Sequence, residues 1–288
     1  MDIVYNWHMT EKCNYACQYC FAHWTQHKEI WRDKATVYRI LKEMKNAENS
    51  TALFPLNKNN QTVNTRINFA GGEPLLLGKS LIDFASKARE FGLKTSMISN
   101  GSLLLKFKEI AKYMDTIGIS IDSLVSETNQ KIGRQEKNGK SLNYNELSDI
   151  IIALKKENHD VQIKFNIVVN RYNYKENVVS SLLKLNPEKV KIFRELPFGE
   201  NQTGITDEMF HNFLHINSDG GEKLYIEDNS AMTHSYLMID PFGRFFQNGN
   251  NYDYSYSEPI HEIGFDKALN SIDFDASEYL NRYKIGDE

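Results

Sequence analysis

The chain has 288 residues, 41% hydrophobic and 25% charged, with 34 basic against 38 acidic side chains and a net charge of −4. That length can bury a sizeable core in one large α/β domain. The charge balance excludes attraction to nucleic acid or to a membrane through bulk charge. No apolar run approaches the length of a membrane span, and Met1 to Thr10 mix polar and aromatic residues instead of forming a signal-peptide core, so a cytoplasmic location is expected.

Taken in order, apolar β-rich runs alternate with helical spacing. Ile3 to Trp7 reads as a first strand, and residues 33–47 as a helix with Val37, Ile40, Leu41 and Met44 on one face. Residues 49–64, polar and rich in Asn, read as a loop. Thr65 to Phe69 is a second strand, Ser80 to Phe91 a helix closed by Gly92, and Lys94 to Ile98 a third strand. Lys106 to Met114 predicts a helix, Thr116 to Ile121 a fourth strand, and 124–142 an irregular stretch. A helix over Asn143 to Glu157, a strand over Val161 to Val169, a helix over Lys175 to Leu185 and a strand over Lys189 to Arg194 follow. Six βα-type units favour parallel strands with right-handed crossovers, and so an open, partial barrel. Beyond them, Thr206 to Ile216 is helical, and Tyr236 to Phe246 is a hairpin around Asp240-Pro241-Phe242-Gly243. The expected organisation is α/β: a partial (β/α)6 TIM-type barrel over residues 1–200 and a C-terminal extension over 201–288, together one domain.

The strongest chemical signal is Cys13-x3-Cys17-x2-Cys20, directly after the first strand. An odd number of cysteines within eight residues is a poor disulfide framework and a good metal site. Three thiolates on a short loop can ligate three irons of a [4Fe–4S] cube and leave the fourth iron without a protein ligand. The alternative is zinc held by three cysteines with His8 or His23, although zinc sites usually pair two ligands in one knuckle with two distant ones.

Gly71-Gly72-Glu73-Pro74 follows the second strand, where a carboxylate faces the mouth of a barrel and glycines let the backbone approach a ligand. The same four residues also make an ordinary turn. Ser99, Asn100 and Ser120 end the third and fourth strands; they are turn-forming caps or hydrogen-bonding groups for a cofactor. Arg134 is a solvated charge or a guanidinium suited to a carboxylate.

Cys-x3-Cys-x2-Cys with Tyr19 before the last cysteine resembles the radical S-adenosylmethionine superfamily. More closely, Asn6-Trp7-His8-Met9-Thr10, Cys13-Asn14-Tyr15, Phe69-Ala70-Gly71-Gly72-Glu73-Pro74, Ile98-Ser99-Asn100-Gly101, Ile119-Ser120-Ile121-Asp122-Ser123, Asn170-Arg171-Tyr172-Asn173 and Leu185-Asn186-Pro187 are similar to the viperin family, including its prokaryotic branch. The resemblance runs over nearly the whole chain from residue 4. It implies a [4Fe–4S] cluster on Cys13, Cys17 and Cys20. It also implies S-adenosylmethionine held by Gly71, Gly72, Glu73, Ser99, Asn100, Ser120 and Arg134, and an electron donor such as flavodoxin or ferredoxin. The implied activity is that of a lyase in antiviral defence. An adenosyl radical takes the ribose 4′ hydrogen of CTP, UTP or GTP, the 3′ hydroxyl leaves as water, and the 3′-deoxy-3′,4′-didehydro nucleotide terminates RNA chains.

The residues supply a check on that substrate. Lys164 lies among Ile163, Phe165 and Ile167, and lysines are seldom buried without an anion. Period two puts Lys164 with Asn166, and Lys189 with Lys191. Arg66 and Asn68 share a side of the second strand. If these groups face one cavity they suit a triphosphate; otherwise Lys189 and Lys191 are the solvated face of an edge strand. Asn6 and Asn166 match positions that the family uses for nucleotide contact. Two departures stand out. Ala70 replaces the family's serine, and the C-terminal pattern is reduced to Tyr279-Leu280-Asn281-Arg282-Tyr283. A tail tyrosine is thought to supply the final hydrogen atom in the family, so Tyr283, then Tyr279, are the catalytic candidates, with aromatic packing as the alternative. The segment Phe21-Ala22-His23-Trp24-Thr25 also diverges and bears on the choice of base. The competing functions are a radical enzyme acting on a peptide or small metabolite, and a non-catalytic metal or redox regulator.

Overall fold

A computed structural model describes residues 2–20, 29–49, 53, 64–197, 204–232, 234–248 and 254–284, with the side chains of residues 49, 231 and 281–284 left aside. The expected loop over 49–64, the segment 21–25 with His23, and the side chain of Tyr283 fall outside what is described.

The strands are β1 (Asp2–His8), β2 (Asn64–Ala70), β3 (Lys94–Ser99), β4 (Thr116–Ser120), β5 (Gln162–Val169), β6 (Lys189–Arg194), β7 (Leu224–Glu227), β8 (Leu237–Ile239), β9 (Arg244–Asn248) and β10 (Tyr254–Pro259). The α-helices are α1 (Lys34–Asn46), α2 (Lys79–Glu90), α3 (Ser126–Ile132), α4 (Tyr144–Glu157), α5 (Val179–Leu183), α6 (Asp207–Ile216), α7 (Ile260–Ile263), α8 (Phe265–Asn270) and α9 (Ala276–Lys284). The chain divides into two compact units, residues 1–12, 22–97 and 231–288 forming one and residues 13–21 and 98–230 the other.

In the first unit the strand order is β10-β9-β8-β1-β2-β3. The pairs β1–β2, β1–β8 and β2–β3 are parallel. One face of β1 and β2 is apolar and fully buried, with Ile3, Tyr5, Trp7, Ile67 and Phe69 at 0–1% exposure, which is what a sheet covered by helices requires. The expected hairpin is β8–β9. Its turn is held by Asp240, whose carboxylate accepts from Phe242 N and Arg244 N at 2.9 and 3.0 Å. β8 runs parallel to β1, with Tyr5 opposite Leu237. Among the described residues the C-terminal segment thus continues the sheet of its unit.

In the second unit the order is β4-β5-β6-β7, all parallel. Ile117, Ile119, Ile163, Phe165, Ile167, Val169, Val190 and Ile192 form the buried apolar face, and the alternate residues make the other face. Helix α4 starts with a capping box in which Asn143 accepts from Glu146 N and Glu146 accepts from Asn143 N.

Several elements differ from expectation. The stretch 124–142, expected to be irregular, contains α3, too short to show a period and closed by Gly133 at φ 81°. The helix expected over 106–114 is a 3-10 helix, Lys108–Tyr113. The helix expected over 175–185 shrinks to α5, because Asn217 claims the backbone ahead of it: Val178 N and Val179 N each donate to Asn217 Oδ1 at 3.0 Å, and Asn217 Nδ2 donates to Glu176 O at 2.8 Å. Strands β7 and β10 and helix α9 lie in the C-terminal extension, where the alternation of apolar residues is too brief to announce them.

Candidate active site

In the first unit the chain leaves β1 and runs to Lys12, the residue before Cys13. Gly72 N donates to Thr10 O at 2.7 Å and Glu73 N to Lys12 O at 2.8 Å. A Cβ on Gly71, at φ 145°, would meet Thr10 O at 2.6 Å, and one on Gly72 would overlap Lys12 O. The glycine pair therefore permits close approach to the backbone leading into the cysteines. Glu73 is fully buried, and its carboxylate accepts from Leu75 N at 3.0 Å, which caps the 3-10 turn Pro74–Leu77. Glu29 braces the same backbone. It accepts from Thr10 Oγ1 at 2.7 Å and from Glu11 N at 3.0 Å.

One step down the sheet, Asn6, Asn68 and Ser96 lie side by side on β1, β2 and β3. Asn68 Nδ2 donates to Asn6 Oδ1 at 2.7 Å, and Ser96 Oγ to Asn68 Oδ1 at 2.9 Å. Ser96 was not foreseen; its place at period two on the third strand is the signal that marks it.

Arg66 is expected among the substrate contacts. It forms an ion pair with Asp2 at 2.7 Å, near the start of β1 and β2. Lys94 joins it at 2.9 Å, and against the cost of burial the two cations hold the Asp2 carboxyl below the usual carboxylate range. Tyr279 is the second of the catalytic candidates. Its side chain is fully buried, packs edge-on against Phe274 with centroids 5.6 Å apart, and accepts from Val4 N at 2.8 Å. It anchors α9 to the start of β1, the end of the strand away from the cysteines.

The second unit holds the cysteine loop. None of the three cysteines is joined in a disulfide. The loop docks on the end of α3, with Ala16 N donating to Gly133 O at 3.1 Å and Gln18 N to Ile132 O at 2.9 Å. Arg134, once weighed as a solvated charge, is buried. It donates to Cys17 Sγ at 3.7 Å, to Tyr19 Oη at 3.0 Å and to the Ser120 carbonyl, and Asp122 lies 3.6 Å away. Tyr19 Oη donates to Asp122, whose other oxygen accepts from Val168 N at 2.9 Å. Asn100 Nδ2 donates to Cys13 Sγ at 3.7 Å and to Asn14 Oδ1 at 2.8 Å, and Ser99 Oγ accepts from Gly101 N at 3.0 Å. Arg134 and Asn100 thus set the cysteine loop from two sides, while Ser120 contributes its carbonyl. Asp122 and Tyr19, which the sequence marked only as parts of motifs, are members of this network to which it assigned no role.

The donor set fits an iron–sulfur cube. Burial pushes the Cys17 thiol up to about 12, against the pull of Arg134, so a thiolate there needs a metal to hold its charge. Among the described residues no group of three His, Cys, Asp or Glu side chains is placed to hold a metal ion. A cube asks for something else, one thiolate on each of three irons.

Below this loop, Lys164 lies opposite Lys189, and Asn166 between Ser120 and Lys191. All share the face opposite the apolar one. Two partners not foreseen touch the amines. Lys191 pairs with the buried Glu227, and Lys189 lies 4.5 Å over the ring of Tyr225.

Residues 7–185 match the Radical SAM superfamily, so the chain is a radical S-adenosylmethionine enzyme and works with a [4Fe–4S] cluster and S-adenosylmethionine. A chain named S-adenosylmethionine-dependent nucleotide dehydratase from Fibrobacter sp. (strain UWH6) is 39% identical over 305 residues, covering 98% of this chain and 88% of that one. One of the same name from Psychrobacter lutiphocae is 38% identical, covering 98% and 95%. The RSAD2 protein of Danio rerio, named likewise, is 29% identical, covering 96% and 76%. The chain belongs to the S-adenosylmethionine-dependent nucleotide dehydratase family, the viperin-like enzymes. Among solved structures, native anSMEcpe with bound AdoMet aligns with a TM-score of 0.64 at 15% identity, covering 100% of this chain and 84% of that one. SuiB of Streptococcus suis bound to S-adenosylmethionine aligns at 0.64 and 13%, covering 97% and 67%. These likenesses establish the fold, an α/β partial barrel of the radical SAM kind.

Proposed function

We propose that this chain removes water from the ribose of a nucleoside triphosphate, yielding the 3′-deoxy-3′,4′-didehydro nucleotide, in antiviral defence. The observation that carries the reading is the register of β5 and β6, which sets Lys164 beside Lys189 and Asn166 beside Lys191 on the face away from the apolar core. Ammonium groups and an amide on adjacent strands suit an anion of several charges. The name shared by the relatives supports a nucleotide in that place.

Cys13, Cys17 and Cys20 would hold the cluster, which with S-adenosylmethionine would supply the radical chemistry that removes a ribose hydrogen. The chain's own residues do the holding. Arg134, Tyr19 and Asp122 fix the loop around Cys17, and Asn100 does so at Cys13. Glu73 and the two glycines form the turn that receives the methionine end, and Lys164, Lys189 and Lys191 take the phosphates. Ser99, Ser120, Asn6, Asn68 and Asn166 offer hydrogen bonds to cofactor and sugar. Tyr283 remains the tail tyrosine for the closing hydrogen transfer, and the electrons come from a donor of the flavodoxin or ferredoxin class. Among the described residues no helix is long and apolar enough to cross a membrane.

The test is anaerobic incubation of reconstituted protein with S-adenosylmethionine, a reductant and each of CTP, UTP, GTP and ATP. At least one nucleotide raises 5′-deoxyadenosine well above the level without nucleotide and loses one water. If none does, the substrate is not a nucleoside triphosphate.

A further inference from the structure

Glu195 follows β6 directly, and the ladder continues through it, with Glu195 N donating to Val169 O at 3.1 Å. By the period of the strand it lies on the face of Lys189 and Lys191. Its carbonyl accepts from Asn229 Nδ2 at 3.4 Å, so its backbone is held on both sides. The residue is 7% exposed, and Oε2 is buried without a hydrogen-bond partner among the described residues. Burial pushes this carboxyl up; Arg171 works against that and Asp122 with it. A buried carboxyl oxygen facing no donor is costly in the folded protein and is retained where a ligand brings the donor.

Strand geometry identifies the part of the ligand concerned. At about 3.3 Å per residue, Glu195 stands about 13 Å beyond Lys191 and about 20 Å beyond Lys189. With the phosphates on the lysines, the portion of a nucleotide that far along the strand, level with Glu195, is the nucleoside. A carboxyl accepts from an exocyclic amino group, as that of cytosine, and meets the carbonyl that uracil carries at the same position with repulsion. We propose that Glu195 reads the nucleobase, accepting a hydrogen bond from an exocyclic amino group and so favouring CTP over UTP. The inference rests on the triphosphate reading of Lys164, Lys189 and Lys191.

The experiment measures equilibrium binding of CTP, UTP and inorganic tripolyphosphate to the reconstituted holoenzyme with S-adenosylmethionine, for the wild type, Glu195→Gln and Glu195→Asp. The wild type is expected to hold CTP at least about tenfold tighter than UTP, as expected for a site whose buried acceptor must be matched. Glu195→Gln, whose amide offers both a donor and an acceptor, brings the ratio near unity and leaves tripolyphosphate affinity unchanged. Glu195→Asp withdraws the carboxyl and lowers the ratio with CTP still ahead, which decides the matter if the glutamine variant fails to fold. A wild type that favours UTP or binds both equally overturns the proposal, as does a ratio that neither variant changes. So does an equal loss for both nucleotides, which would place the carboxyl on the sugar. Tripolyphosphate binding by a wild type that binds no nucleotide overturns the substrate reading of the preceding section; a base preference that Glu195 does not control overturns this inference alone.

Discussion

Single residues carry the pH behaviour of the first unit. His8 ends β1, is 6% exposed, and packs edge-on to Phe246 with centroids 5.5 Å apart. Burial pulls its imidazole from 6.5 down to about 3. The folded protein therefore refuses a proton that the unfolded chain accepts. The stability His8 contributes is complete above pH 6.5 and is lost as pH falls from there towards 3, with a slope of about 1.4 kcal/mol per pH unit from this one group. His8→Gln is expected to flatten denaturant-derived stability over that window by this amount. An unchanged slope would mean that the imidazole is solvated. Arg66 and Tyr279 teach a second lesson at this scale. Both side chains suit the chemistry expected of them, and both have partners on β1, Asp2 and Val4 N. A side chain's type is visible in the sequence; its partner 64 or 275 positions away is not.

At the scale of the element, Gly133 joins α3 to the cysteine loop. It sits at φ 81°, and a Cβ would overlap Ala16 O, a backbone atom that cannot swing aside. Gly133→Ala should cost about 1–2 kcal/mol from the left-handed backbone alone, and should also dislodge the segment between Cys13 and Cys17. Iron content after anaerobic reconstitution is then expected to fall well below that of the wild type. Gly139→Ala is the control. It shares a positive φ of 84° but has nothing within 4 Å, so it bears the strain without the collision and keeps its iron. Equal iron in both variants would detach the helix end from cluster assembly. The spacing of the cysteines and the GGEP turn were legible from residue order because both motifs are local. The helix that presents Gly133 was not, since seven residues are too few to establish a period of 3.6.

For the whole molecule, binding of the substrate is linked to stability. A nucleoside triphosphate at a hundred times its dissociation constant adds about 2.7 kcal/mol to the folded state and raises Tm accordingly. Lys164→Ala is expected to remove most of that rise and to leave intact the slow cleavage of S-adenosylmethionine without nucleotide. A full nucleotide-induced Tm rise in Lys164→Ala would show that the phosphates bind elsewhere. The amine is placed for this by its neighbours in register, Gly118 on one side and Lys189 on the other.

The sequence by itself determined the cysteine cluster, most of the alternation of strands and helices, and the pairing of Lys164 with Asn166 and of Lys189 with Lys191 on common faces, because spacing and period are properties of a linear chain; the cofactor came from the family resemblance that those motifs carry. Only the tertiary structure decided which charges have an acidic partner: Arg66 has Asp2, Lys191 has Glu227 and Arg134 has Asp122. The physical reason is that an ion pair between residues distant in the chain depends on strand register and burial, and both are set only when the elements pack.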